Sequence, residues 1–188
     1  CNNFALMARI AKETGMKGLC LDLEDYKDTG HLFAYSPDMG ASYADAKLKA
    51  RQRGREWITA MAEAYPDMTL FAPFWVSLAY PFGDNPNASG SRSCALFPAF
   101  LNGVYDALPP GMTIIDGNES YFYRSGDRYQ AMHATGYFHA NFRQLIAPEN
   151  LYRALTQTQM AAALYLDAFF PANLNDPNNR WDLYPGQD

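Results

Sequence analysis

Lys17-Gly18-Leu19-Cys20-Leu21-Asp22-Leu23-Glu24-Asp25-Tyr26 is the stretch that decides the fold. It begins as a short apolar run and ends in a cluster of carboxylates. Because side chains alternate between the two faces of a strand, we expect Cys20, Asp22 and Glu24 on one face and the leucines on the other. An apolar run between two helical patterns is typical of a parallel strand covered by helices. Acidic residues at the carboxyl end of such a strand lie where parallel α/β proteins build their active sites.

The composition is that of a globular chain with a mild negative charge. Its 188 residues, 48% hydrophobic and 15% aromatic, suffice for one substantial core. A net charge of −5 gives no basic surface for nucleic acid. No apolar run approaches the ~20 residues that a membrane span requires. The 3 cysteines are too few and too scattered for a disulfide framework or a zinc site.

The first residue allows two interpretations of the compartment. Cys1 followed by two asparagines is compatible with the lipidated start of a processed bacterial lipoprotein, which would be secreted or periplasmic. A helical pattern begins almost at once, so a start inside a larger polypeptide is the preferred interpretation. The sequence leaves the compartment undetermined.

Helical and strand patterns alternate along the chain. An apolar stripe predicts a first helix that ends at Gly15, and Ser42 with Asp45 is a capping signature that opens a long second helix. The stripe of the first helix comprises Phe4, Leu6, Met7, Ile10 and Ala11. The predicted helices cover 4–14, 42–65, 95–108, 127–146 and 149–168, and the predicted strands cover 17–24, 68–76 and 112–116.

This order predicts an α/β fold with a parallel sheet and right-handed crossovers. A complete (β/α)8 TIM barrel typically needs ~250 residues. We therefore interpret residues 1–170 as a segment of such a barrel, whose remainder lies elsewhere in a larger polypeptide, and residues 171–188 as an irregular tail. The alternative is a small sheet that is complete in itself.

All three predicted strands end in groups that a sugar-processing site uses. The first ends in Asp22, Glu24 and Tyr26, and the second leads into Trp75. Asp116 and Glu119, followed by Tyr121 and Tyr123, come at the end of the third. Neighbouring parallel strands lie ~4.8 Å apart, so carboxylates from strands two apart can lean together across a substrate.

Glycoside cleavage needs two such carboxylates, one to protonate the leaving oxygen and one to attack or to activate water. The sequence predicts Asp22, Glu24, Asp116 and Glu119 as the catalytic set. Aromatic rings provide the flat apolar faces on which sugar rings stack. The predicted carbohydrate-binding residues are Tyr26, Trp75, Tyr121 and Tyr123.

The Asp-x-Glu core of residues 22–24, with Tyr26 after it, is similar to the Asp-x-x-Asp-x-Asp-x-Glu signature of family 18 chitinases, which are barrel glycoside hydrolases. The resemblance implies that Glu24 is the acid and that Asp22 assists the acetamido group of the substrate. Lys17 and Cys20 stand where that signature has its first two aspartates.

The spacing of the acidic strand ends also resembles that of retaining α-glycosidases of the melibiase and α-glucosidase type. Those enzymes carry a nucleophile Asp on the fourth barrel strand and an acid/base Asp on the sixth. The resemblance implies these roles for Asp22 and Asp116, which follow strands two apart.

Less specific interpretations exist for each of these residues. The acids can be helix caps or solvated loop residues, and Trp75 can be a core residue. A cluster of carboxylates can also hold Ca²⁺ or Mg²⁺, although the predicted site contains neither a metal nor another cofactor. The competing functions are thus a non-catalytic carbohydrate-binding or scaffold barrel and a metal-dependent hydrolase or lyase.

Overall fold

In the computed structural model, helices and parallel strands alternate along the chain. The structure describes residues 2–23, 32–79, 94–119, 136, 140 and 142–161. The helices are α1 (Asn2–Glu13), α2 (Tyr43–Ala64), α3 (Phe97–Ala107) and α4 (Pro148–Gln157). The strands are β1 (Gly18–Cys20), β2 (Thr69–Ala72), β3 (Thr113–Asp116) and β4 (Thr158–Met160).

The strands form one parallel sheet of 4 strands in the order β1-β2-β3-β4, so each strand pairs with the next one along the chain. Leu70 of β2 pairs with Leu19 on one side and Ile114 on the other, and Ile114 pairs with Thr158 of β4. The ladder continues past β1, because Leu21 N–H donates to the carbonyl of Phe71 at 2.8 Å. The predicted α/β class with a parallel sheet is confirmed.

The two faces of the sheet differ in burial, as strand alternation requires. Leu70, Ala72, Ile114 and Asp116 are buried on the face that packs against the helices. Side chains of the opposite face are only half-buried along β2 and β3, and they become exposed at Cys20 of β1. Among the described residues, the helical layer covers one face of the sheet.

Aromatic rings fill the space between the sheet and the helices. Trp57 of α2 lies 5.5 Å from Phe100 of α3 and 6.3 Å from Trp75, measured between ring centroids. Phe33, from the segment before α2, packs onto Phe97 at 4.6 Å. Rings at these separations contribute more than their buried area alone.

Two glycines allow α2 and α3 to pack backbone against backbone. An ideal Cβ on Gly54 would lie 2.1 Å from the carbonyl oxygen of Phe100, and one on Gly103 would lie 1.8 Å from that of Arg51. No side chain fits at either position. The helices are further joined by Arg51, whose guanidinium donates to both carboxylate oxygens of Asp106 at 2.6 and 2.7 Å.

The predicted helix ends agree with the structure. Gly15 has the left-handed φ of 73° that favours glycine after a helix. Ser42 caps α2, because its Oγ accepts from Asp45 N–H at 3.1 Å and donates to the Asp45 carboxylate at 2.6 Å. These local signals are independent of the rest of the fold.

The burial of α1 corrects the predicted stripe. Phe4 and Ala11 of that stripe do contact the core, together with Ala8, whereas Leu6, Met7 and Ile10 are exposed. The small alanines let α1 approach the sheet and α2 closely. The helix is therefore rotated relative to the face that the larger apolar residues predicted.

The helix predicted over 149–168 is also wrong in part, because it ends at Gln157 and the chain continues as β4. Gln157 Nε2 donates to the carbonyls of Pro109 and Met112 at 2.7 and 2.8 Å, which holds this junction beside the start of β3. Pairing with the exposed edge of β3 outweighs the helical propensity of the sequence. Most of the predicted helix over 127–146, the boundary at residue 170 and the tail 171–188 lie outside the described residues.

Within the described part of the chain, no helix combines the length and the apolar character that crossing a membrane demands.

Candidate functional site

The carboxyl ends of the strands lie along one edge of the sheet. Asp22 follows β1, Ser77 lies beyond β2, and Asp116 is the last residue of β3. Glu119 follows in the turn after β3, and Ala161 comes directly after β4. The strand-end polar residues predicted from the sequence are thus distributed along the edge where parallel sheets carry their ligands.

Asp116 is fully buried at this edge and joins the segments that follow β2 and β3. Its Oδ1 accepts from the hydroxyl of Ser77 at 2.7 Å and from Asn118 N–H at 2.9 Å. Its Oδ2 accepts from Ser77 N–H at 3.0 Å. The carboxylate is therefore surrounded by donors of the protein itself.

Burial raises the pKa of the Asp116 carboxyl above its ordinary value, because the charged form loses contact with water. The hydrogen bonds from Ser77 and Asn118 act on the pKa in the opposite direction, since they stabilise the charged form. No lysine or arginine is among the groups that donate to this carboxylate in the described structure. Among the described residues, the donors that compensate the buried charge are neutral.

The turn after β3 has an unusual backbone. Asn118 has a φ of 44°, in the left-handed region where asparagine is enriched among non-glycine residues. Gly117 before it admits no side chain easily, since an ideal Cβ would lie 3.0 Å from Phe71 Cζ and from the Pro73 carbonyl oxygen. Glu119 N–H then donates to the same Pro73 oxygen at 3.1 Å. The turn is thus packed against the end of β2.

Asp22 and Asp116 are not equivalent positions. Asp22 is exposed, whereas Leu21 is buried in the core beside β2. Since Cys20 pairs with Phe71 and Ala72 pairs with Asp116, Leu21 shares the helix-facing side of the sheet with Asp116. The structure therefore does not bring Asp22 and Asp116 to one side, and the buried Asp116 does not fit the predicted role of a carboxylate that meets substrate.

Trp75 likewise does not fit its predicted role as a sugar-stacking platform, because it is fully buried. Its ring packs on Trp57 and edge-on to Phe97 at a centroid distance of 6.2 Å. Its Nε1–H donates to the hydroxyl of Tyr105 at 2.9 Å, and that hydroxyl lies 2.7 Å from Thr158 Oγ1. Burial raises the pKa of the Tyr105 phenol, so this buried chain of polar groups is neutral.

The remaining predicted site residues divide between those the structure describes and those it does not. Glu119 is half-buried at the edge. Outside the described residues lie Glu24, Tyr26, Tyr121 and Tyr123. Asp22 and Glu119 are therefore the two predicted carboxylates that the structure describes at the edge with exposed or half-buried side chains.

Sequence reasoning missed the hydrogen-bonding roles of Ser77, Tyr105 and Asn118. A Gly-Asn pair directly after a strand is a sequence signal for a left-handed turn, and Asn118 could have been found in this way. Ser77 and Tyr105 carry no local signal, because their partners lie 39 and 53 residues away in the sequence.

Among the residues that the structure describes, no group of three or more His, Cys, Asp or Glu side chains converges as a metal site. Comparison of the chain with protein-family models, with curated proteins and with solved structures found no match.

Proposed function

We propose that the chain is part of a (β/α)8-barrel glycoside hydrolase whose site lies at the carboxyl edge of the sheet. The observation that supports it best is the strand order β1-β2-β3-β4, in which consecutive strands are neighbours and all run parallel. Strands and helices follow one another in this way around a barrel. In a doubly wound sheet the order reverses at a switch point instead.

The half-buried face of the sheet supports the same proposal. Thr69, Phe71, Thr113 and Ile115 lie on the face away from the helices and are half-buried. In a barrel this face is the interior, and the remaining strands cover it. On this view the remainder of the barrel is supplied by another part of a larger polypeptide.

The exposed and half-buried carboxylates suit the hydrolysis of a glycosidic bond. Asp22 and Glu119 follow strands that are separated by β2, so their backbones are roughly 10 Å apart across the edge. Side chains of this length can approach to the ~5.5 Å of a retaining site or the ~6.5–9.5 Å of an inverting one. Glu24, two residues beyond Asp22, is the third carboxylate of the proposed site.

In the proposed reaction, Glu24 or Glu119 donates its proton to the glycosidic oxygen as the bond from that oxygen to the anomeric carbon breaks. Asp22 acts on the opposite side of the sugar ring. It either attacks the anomeric carbon, to form an ester that water then hydrolyses, or removes a proton from the attacking water. Neither route requires a metal or another cofactor.

The test is a screen of the protein against chromogenic glycosides, followed by kinetics of Asp22→Asn. The variant should lose about a thousandfold in kcat, because the carboxylate that attacks or activates water is gone. Its thermal midpoint should stay within about 3 °C of the unmodified protein, since Asp22 is exposed. Asp67→Asn, at an exposed position at the opposite end of β2, is the matched control and should keep full activity.

Two other results would replace this proposal with a different function. Sugar binding that persists without hydrolysis, and that Asp22→Asn does not alter, would indicate a carbohydrate-binding or scaffold barrel. Hydrolysis that a chelator abolishes and added Mg²⁺ or Ca²⁺ restores would indicate a metal-dependent enzyme.

A further inference from the structure

Asp116 connects three strand ends at the proposed site. Its side chain accepts from the backbone and hydroxyl of Ser77 beyond β2 and from the backbone of Asn118 beyond β3. Its own carbonyl accepts from Ala161 N–H, directly after β4, at 2.7 Å. A single buried residue thus holds the segments that leave β2, β3 and β4.

These bonds determine the course of the turn that carries Glu119. Gly117 N–H donates to the Ala72 carbonyl at 2.8 Å, and Glu119 N–H donates to that of Pro73 at 3.1 Å. Between them, the left-handed Asn118 is held by its N–H bond to Asp116. Left-handed backbone in a residue other than glycine persists where its surroundings stabilise it. The Asp116 carboxylate supplies such stabilisation to the Asn118 backbone, and the Asn118 side chain also donates to Met160 Sδ at 3.8 Å.

We infer that Asp116 is a positioning residue, which fixes the turn after β3 so that Glu119 is presented at the carboxyl edge. This inference rests on the proposed function, because it assigns Glu119 and not Asp116 as the catalytic carboxylate contributed by this strand. Full burial separates Asp116 from any substrate at the edge. A carboxylate suits the position, since both of its oxygens only accept and all its partners there donate.

The substitution Asp116→Asn tests the inference because it retains the shape of the side chain. Its NH₂ group would face either Ser77 N–H or Asn118 N–H, so one of these two backbone bonds must break, whereas the Ser77 hydroxyl can accept from the NH₂ group instead. Ser77→Ala removes the hydroxyl bond alone and is the milder variant, used if Asp116→Asn does not fold. Asp67→Asn again serves as the control.

The first readout is amide hydrogen exchange measured by NMR, which requires no substrate. In Asp116→Asn, the amide that loses its acceptor, that of Ser77 or that of Asn118, should exchange about tenfold faster or more, while that of Ile114 in β3 keeps its protection. The amide of Glu119 should exchange faster where the bond to Asn118 is the one lost. The Ser77→Ala variant should accelerate exchange at Asn118 by a smaller factor, and Asp67→Asn should leave these amides unchanged. Unaltered exchange at Asn118 and Glu119 in both Asp116→Asn and Ser77→Ala, or in Ser77→Ala alone where Asp116→Asn does not fold, would overturn the inference.

The second readout is the pH dependence of hydrolysis. A displaced Glu119 should lower kcat about tenfold to a hundredfold, with KM within about twofold, and both limbs of the pH profile should remain. In Glu119→Gln, the limb that belongs to this carboxylate should disappear. Loss of a limb in Asp116→Asn but not in Glu119→Gln would mean that Asp116 itself transfers the proton and would overturn the inference.

The two proposals can fail separately. Accelerated exchange in a protein that hydrolyses no glycoside would contradict the proposed function and leave the positioning of the turn by Asp116 supported. Hydrolysis that depends on Asp22, together with unaltered exchange, would support the function and contradict the role of Asp116.

Discussion

At the scale of single residues, the buried polar groups carry the strictest requirements. Trp75 Nε1–H and the hydroxyls of Tyr105 and Thr158 form a chain inside the aromatic core. A buried donor without a partner costs about 1–3 kcal/mol, which is more than the net gain of an ordinary hydrogen bond. Removing one partner of such a hydrogen bond therefore lowers the free energy of unfolding by more than the net contribution of the hydrogen bond itself.

This asymmetry predicts a result for a double-mutant cycle. Tyr105→Phe leaves the indole N–H of Trp75 buried without its acceptor and should lower the free energy of unfolding by about 1–3 kcal/mol. Trp75→Phe removes that donor, at the expense of a smaller ring in the core. The double variant should be more stable than the sum of the two single effects indicates. Urea unfolding measures all three, and strictly additive effects would show that the hydrogen bond contributes nothing.

At the scale of elements, α2 and α3 are held together by glycine contacts and by a polar cluster. The cluster joins Arg51 and Arg55 of α2 to Asp106 of α3, and Asn150 of α4 also donates to the Asp106 carboxylate at 2.7 Å. Arg153 of α4 donates to the Tyr105 and Asp106 carbonyls at the end of α3. These interactions set the distance and the register of the helical layer.

Replacement of the contact glycines should separate the two helices. Gly54→Ala and Gly103→Ala place a methyl group against the backbone of the neighbouring helix, so each should destabilise the fold by about 3 kcal/mol, the upper end of the usual range for overpacking. Gly136→Ala is the matched control, because nothing lies within 4 Å of an ideal Cβ at that position. Thermal unfolding distinguishes them, and equal stability of Gly54→Ala and Gly136→Ala would contradict the close packing.

The polar cluster predicts a loss of stability in acid. Burial alone would raise the pKa of Asp106, but the hydrogen bonds from Arg51, Asn150 and Arg55 outweigh it and lower the pKa to about 2. A carboxyl whose pKa is lower in the folded than in the unfolded protein stabilises the fold. The full contribution is present at pH values above the pKa that the carboxyl has in the unfolded protein. That contribution, on the order of 1–2 kcal/mol, is lost as the pH falls from about 4 toward 2.

Asp106→Asn should remove this pH dependence. The variant should unfold more easily than the original protein at pH 6, while the difference between the two narrows toward pH 2. Urea unfolding at a series of pH values measures it. A difference that stays constant over this range would show that Asp106 does not titrate differently in the folded protein.

At the scale of the whole molecule, the sequence predicted the fold class better than the site. Short apolar runs around Leu21, Leu70 and Ile114 lie between helical patterns, and this order was enough to predict parallel strands. A buried strand leaves such a pattern in its own local sequence. The short strand β4 was missed because only its pairing with β3 makes it a strand. Local pattern and sheet pairing thus determine different parts of the fold.

The site was harder to predict, because alternation groups the side chains of one strand by face but does not relate the faces of different strands to each other. Asp116 and Asp22 both follow an apolar run in the sequence. In the structure Asp116 is buried and accepts a hydrogen bond from Ser77, whereas Asp22 is exposed. The register of the sheet distinguishes the two residues, because it shows that Asp116 shares a face with Leu21 and that Asp22 lies on the other face. Trp75 shows the same limit, since a buried indole and a sugar platform have the same sequence context.

The central claim is that the carboxyl edge of this sheet cleaves glycosidic bonds with Asp22 as an essential carboxylate. The most direct measurement compares the rate of release from a chromogenic glycoside by the protein and by Asp22→Asn, with thermal unfolding recorded on the same samples. We predict hydrolysis by the protein and a loss of about a thousandfold in the variant, with a thermal midpoint within about 3 °C of the unmodified protein. Equal rates in the two proteins, or a variant that loses its fold together with its activity, would contradict the account.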